Sequence, residues 1–216
     1  DGFGHSENKT GNAIALAQKP FLDKLYANYP HTLLQASGQA VGLDWGEAGN
    51  SEGGHLSIGA GRIIKQYLSV INGAINDSSF YNNPVLLENM QRAKVSGTKL
   101  HILGLLTSGS VHAHFKHLGA VLEMAKKLEL PSVYLHLFTD GKDSGPKEGV
   151  SLLKRVDELI NDNPTITMAT MIGRNFPMER NNDWNKTRRA YNLFVQGEGT
   201  PTKNFEQSLL SYYSQG

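Results

Sequence analysis

Three short apolar runs, Leu100 to Leu106, Ser132 to Phe138 and Thr165 to Ile172, restrict this chain more than any other feature. Each ends in a polar cluster, and helical patterns stand between them. Apolar runs of this length read as strands buried in a parallel sheet. Residues 117–128, 149–161 and 183–195 carry amphipathic helical spacing. Strands alternating with helices predict an α/β fold with a largely parallel sheet. The C-terminal ends of such strands converge on one crevice. His112 and His114 follow the first run, Lys142 and Asp143 the second, and Arg174 and Arg180 the third. Any one of these clusters alone is an ordinary solvated loop. Together they describe a pocket for an anion, because the planar fork of arginine matches two oxygens of a carboxylate or phosphate at once.

The segment ahead of these runs reads less regularly. Residues 11–29 have helical spacing that Pro20 can interrupt, 32–36 are strand-like, and helices are expected over 56–72 and 85–94. Between them lies Gly49-Asn50-Ser51-Glu52-Gly53-Gly54-His55. Glycines allow tight turns that display a side chain, so Ser51 is a candidate nucleophile. It is equally a candidate N-cap for the following helix, and the residues themselves leave both readings open. The chain opens on Asp1-Gly2-Phe3-Gly4, which has the character of a turn after a buried strand. It therefore reads as a piece of something longer.

Composition narrows the function classes. Lys and Arg total 21 against 20 Asp and Glu, which argues against a broad nucleic-acid-binding surface. With no cysteine there is neither a disulfide nor a thiolate metal site, so a metal would need Asp, Glu, His or Ser. The apolar runs are too short to span a bilayer, and no membrane association is expected.

Taken in order, these segments resemble the cofactor-independent phosphoglycerate mutases of the alkaline phosphatase superfamily. Asp1-Gly2-Phe3-Gly4 is similar to the family's opening Asp-Gly-Trp-Gly. Gly11-Asn12-Ala13-Ile14, Ala36-Ser37-Gly38 and Val41-Gly42-Leu43 follow. Gly49-Asn50-Ser51-Glu52, Gly54-His55-Leu56 and Ile58-Gly59-Ala60-Gly61-Arg62 match the surroundings of the family's nucleophile. Leu103-Gly104-Leu105-Leu106 with Val111-His112-Ala113-His114 resembles its histidine motif. Asp140-Gly141-Lys142-Asp143, Gly173-Arg174 and Met178-Glu179-Arg180 complete the series. Lys142 stands where the family has arginine, which keeps the charge but not the bidentate geometry.

The resemblance implies the N-terminal part, residues 1–65, of a parallel-sheet, metal-binding phosphatase-like domain, followed over 66–216 by most of an inserted α/β substrate-binding domain. It implies a glycolytic isomerase interconverting 3-phosphoglycerate and 2-phosphoglycerate through a phosphoserine. Ser51 would be the nucleophile and Asp143 the acid/base, with His112, Lys142, Asp143, Arg174 and Arg180 contacting substrate. Asp1 and Ser51 would be ligands of two divalent cations, manganese or else magnesium, and no 2,3-bisphosphoglycerate would be required. His55 and Glu52 are given a structural role. The further metal ligands are expected on a later segment, so these 216 residues alone are expected to be inactive. A monomer in the cytoplasm is expected. Two alternatives stand beside this reading: a metal-dependent phosphohydrolase of the same superfamily, and a non-catalytic anion-binding module.

Overall fold

The computed structural model describes residues 3–215, so the metal ligand expected at Asp1 lies outside the described residues. Backbone contacts divide the chain into two units, residues 1–70 and 71–216.

In the first unit the helices are α1 (Ala13–Leu16), α2 (Pro20–Asn28), α3 (Ser51–Ala60) and the beginning of α4 (Tyr67–Asn76). The helical pattern over 11–29 is thus two helices. Pro20 sits at the start of α2, where its missing N–H and fixed φ are harmless. The single helix expected over 56–72 is also two. Gly61 closes α3 in the left-handed region at φ +63°, and α4 begins six residues later. The strand expected over 32–36 does not form, because no segment among the described residues of this unit pairs with its backbone. An extended run becomes a strand only when its N–H and C=O groups find a ladder partner.

Gly42 fixes the return of the chain beneath the Ser51 segment. It has φ +82°, its carbonyl accepts from the Gln66 N–H at 2.8 Å, and an added Cβ would lie 1.9 Å from the Ile64 carbonyl oxygen. Gly42→Ala combines an unfavourable φ with a backbone collision. It is expected to destabilise the first unit by at least about 2 kcal/mol. Thermal melting followed by circular dichroism checks this, and an unchanged profile would contradict it.

The second unit holds α5 (Pro84–Val95), β1 (Leu100–Leu106), α6 (Phe115–Lys127), β2 (Val133–Thr139), α7 (Gly149–Ile160), β3 (Ile166–Gly173), α8 (Trp184–Gln196) and α9 (Phe205–Ser214). The three strands are parallel, as the alternation of strands and helices predicts, and they lie in the order β1-β2-β3. Among the described residues only β2 has a neighbour on both sides. Consequently β1, expected as a buried strand, is an edge strand whose Leu103 is half exposed.

Val133, Leu135 and Leu137 point to one face of β2 and join Leu122 and Met124 of α6, Leu152, Leu153 and Val156 of α7, and Leu209 of α9 in one fully or nearly fully buried cluster. The opposite face carries His136 and Phe138, with Phe194 of α8 against both rings at centroid distances of 5.7 Å. Helix α9 has no counterpart in the elements expected from the sequence. Asn204 caps it by accepting from the Gln207 N–H at 2.8 Å. The asparagine followed by Phe205, Leu209 and Tyr212 at helical spacing was its signal.

His136 is buried yet satisfied. Its Nε2 lies 2.8 Å from His101 Nδ1, and its Nδ1 lies 2.8 Å from Thr170 Oγ1. Burial first, and then the neighbouring His101, push its pKa below the ordinary histidine value. Among the described residues, no helix is long and apolar enough to cross a membrane.

Candidate functional site

Parallel pairing brings the three strand ends level. Leu106 of β1 is in register with Thr139 of β2, and Thr139 with Gly173 of β3. The next residues along each strand, Thr107, Asp140 and Arg174, therefore emerge side by side. They bond to one another directly. Thr107 Oγ1 donates to Asp140 Oδ2 at 2.5 Å, and Arg174 Nη1 donates to Asp140 Oδ1 at 2.7 Å. The Asp140 carboxylate also accepts the backbone N–H groups of Lys142 (3.0 Å), Asp143 (3.2 Å) and Ser144 (3.0 Å). Its side chain is 1% exposed. Burial works to raise its pKa, but the bonds from Thr107, Arg174 and the Lys142 and Asp143 amides outweigh that, and the carboxyl lies well below the usual range. The Arg174 pKa is raised, first by its bond to Asp140 and, against the cost of burial, by Asp143.

Three of the predicted residues meet here. Arg174 Nη1 donates a second bond to Asp143 Oδ2 at 2.7 Å, and His112 Nε2 lies 4.0 Å from that same oxygen. Asp143 is nearly buried, at 10% exposure, whereas His112 is 45% exposed and faces solvent. Gly109, on the loop that carries His112, makes this approach possible. A Cβ there would come 2.6 Å from the Asp143 carbonyl oxygen and 2.9 Å from its Cβ. Lys142 is held by its backbone N–H and is itself exposed. Arg180, also exposed, follows the turn after β3 and makes no ion pair among the described residues. His114 caps α6, its Nδ1 accepting the Lys116 N–H at 3.1 Å.

Asp140 and Thr107 were not singled out as site residues by the sequence. The available signal was an aspartate followed by glycine directly after a strand, a pattern in which the carboxylate takes the next backbone amides. Nothing local identifies Thr107, because its partner lies 33 residues away. A groove of about 870 Å³ runs along the free edge of β3 toward α8 and α9, and none of the predicted site residues lines it.

In the first unit the choice between cap and nucleophile has a structural answer for the cap. Asn50 caps α3, its Oδ1 accepting the Gly53 N–H at 2.8 Å, and Ser51 is the first helical residue. The Ser51 hydroxyl stands at the positive end of a ten-residue helix, where a developing negative charge is favoured. His55, one turn on, places Nδ1 at 2.7 Å from the Ser51 carbonyl oxygen and 3.1 Å from its Oγ. Gly49 is required just before, since a Cβ would lie 1.8 Å from the Ala36 carbonyl oxygen. Among the described residues no group of three or more His, Cys, Asp or Glu could hold a metal ion, so the residues described do not by themselves make a metal centre.

Fold and strand-end chemistry define a parallel α/β chain with a guanidinium–carboxylate site suited to a small anionic ligand. Comparison with known proteins narrows the class. The family model for the BPG-independent PGAM N-terminus matches residues 71–216. The chain is 46% identical over 213 residues to the 2,3-bisphosphoglycerate-independent phosphoglycerate mutase of Clostridium perfringens, covering 99% of this chain and 42% of that protein. It is 40% identical over 216 residues to the enzyme of the same name from Nostoc punctiforme, covering 100% of this chain and 41% of that protein. A crystal structure of Leishmania mexicana phosphoglycerate mutase at low cobalt concentration superposes with a TM-score of 0.77 and 26% identity, over 94% of this chain and 38% of that one. The chain belongs to the 2,3-bisphosphoglycerate-independent phosphoglycerate mutase family, as the motif series predicts. It spans about 42% of the length of the curated relatives it matches.

Proposed function

We propose that the protein of which this chain forms part is an isomerase that interconverts 3-phosphoglycerate and 2-phosphoglycerate without 2,3-bisphosphoglycerate, through a phosphoserine on Ser51. The observation that carries the proposal is the cluster at the strand ends, where His112, Asp143 and Arg174 share one carboxylate oxygen. Its chemistry suits a ligand bearing a carboxylate, a phosphate and a hydroxyl that must be protonated and deprotonated in turn.

In this reading Ser51 reacts as its alkoxide. Oγ attacks the phosphorus of 3-phosphoglycerate in line with the bond to the C3 oxygen, that bond breaks, and the alkoxide is regenerated when the phosphoryl group leaves again. Asp143, in its protonated form, gives the departing C3 oxygen a proton, and the resulting carboxylate removes one from the C2 hydroxyl. The C2 oxygen then attacks the phosphoserine, and Ser51 is released. Arg174, Lys142, Arg180 and His112 hold the glycerate carboxylate and the phosphoryl oxygens during this exchange. We assign the whole protein two divalent cations, manganese or magnesium, with Asp1 and Ser51 among their ligands. The chemistry they supply is a lower hydroxyl pKa and neutralised phosphoryl charge. A monomer in the cytoplasm, with no nucleic-acid or membrane partner, completes the reading.

The test is product analysis on the full-length protein with 3-phosphoglycerate and either cation. Formation of 2-phosphoglycerate is the expected result. Free phosphate in its place would make the protein a hydrolase of the same superfamily, and no turnover would leave an anion-binding module.

A further inference from the structure

We infer that Asp140 is the positioning residue of this pocket: it fixes Asp143 and Arg174 relative to each other and makes no contact with substrate itself. The inference rests on the phosphoglycerate reading above and concerns residues that reading does not use.

The argument is one of hydrogen-bond capacity. A carboxylate offers about four lone-pair sites. Asp140 accepts from Thr107 Oγ1, Arg174 Nη1 and the amides of Lys142, Asp143 and Ser144. It is saturated and buried, so it has nothing left with which to touch a ligand or exchange a proton. Asp143 differs. Its Oδ2 receives Arg174, and among the described residues its Oδ1 has no hydrogen-bond partner. One carboxylate is spent on architecture, and the other keeps an oxygen for chemistry.

Arg174 shows the same division. Both hydrogens of Nη1 are committed, one to Asp140 and one to Asp143. Nη2 and Nε make no hydrogen bond to the described residues, which leaves one edge of the fork for two oxygens of an anion. The bond to Asp140 therefore decides which edge of the guanidinium faces the ligand. Without it, Nη1 can turn toward Asp143 alone and the remaining donors change direction. Thr107 secures the arrangement from β1. Its hydroxyl donates to Asp140 and accepts the Gly109 N–H at 2.9 Å, tying the loop that carries His112 to the same carboxylate.

The experiment uses the full-length protein and follows conversion of 3-phosphoglycerate to 2-phosphoglycerate, together with a melting curve. Asp140→Asn retains an acceptor for the turn amides but removes the charge that orients Arg174. It is expected to lower kcat by about 30-fold and to raise KM for 3-phosphoglycerate about fivefold, misplacement of a binding group costing up to about 100-fold. A merely structural residue would reduce the amount of folded enzyme and leave KM unchanged. If Asp140→Asn does not fold, the threonine decides. Thr107→Val, which lacks the hydroxyl, is expected to raise KM several-fold, and Thr107→Ser, which keeps it, to stay within about twofold of wild type. An unchanged KM in Asp140→Asn, or in Thr107→Val where the first does not fold, with an active wild type overturns the inference alone. A wild-type protein with no turnover of 3-phosphoglycerate overturns the functional reading and this inference with it.

Discussion

Ser51→Ala in the full-length protein is expected to lower turnover of 3-phosphoglycerate by at least about 10⁴-fold, the scale on which removal of a nucleophile acts. Its stability is expected to remain within about 0.5 kcal/mol of wild type. The structure separates the two effects. The cap of α3 is Asn50, and His55 holds the Ser51 carbonyl oxygen at 2.7 Å, so two of the contacts that anchor this helical turn do without the hydroxyl. Rapid mixing with substrate followed by intact-mass analysis reads the chemistry directly. The wild type should show a phosphoryl adduct that Ser51→Ala lacks. An adduct in the variant would place the nucleophile elsewhere.

Arg174→Met is expected to cost about 3 kcal/mol of stability at pH 7, because loss of one partner leaves a buried carboxylate uncompensated. Asp140 and Asp143 are 1% and 10% exposed, so little solvent is available to replace the guanidinium. The sign of the pH dependence follows from the depressed pKa of Asp140. A carboxyl held below its unfolded value contributes stability that is fully present above about pH 4 and is lost as pH falls through the folded value. The difference between wild type and Arg174→Met should therefore narrow steadily below about pH 4. Urea denaturation at pH 7, 5 and 3 checks this. A constant difference across that range would mean that Asp140 is not the group Arg174 stabilises.

Much of this was legible in the chain. The runs at 100–106, 132–138 and 165–172 became β1, β2 and β3 to within a residue, because each is short, apolar and closed by turn chemistry. The convergence of His112, Asp143 and Arg174 followed from strand direction, since parallel strands present their C-terminal ends on one edge. Two of the failures share a cause. The strand over 32–36 and the buried character of β1 were judged from side-chain pattern, whereas both depend on which backbone lies alongside.

The sequence by itself determined the three strands of the second unit, their parallel direction, the helices between them and the family to which the chain belongs, because local periodicity and ordered motifs carry that information. Only the tertiary structure decided which of two neighbouring carboxylates is saturated with hydrogen bonds. Asp140 and Asp143 are two acids three residues apart in one turn, alike in composition and in setting. Arg174 bonds to both; what separates them is a hydroxyl from Thr107, brought from 33 residues away by the register of β1 and β2, added to the Lys142, Asp143 and Ser144 amides that only Asp140 accepts. Hydrogen-bond saturation is a property of that assembled neighbourhood, and no local pattern in the chain encodes it.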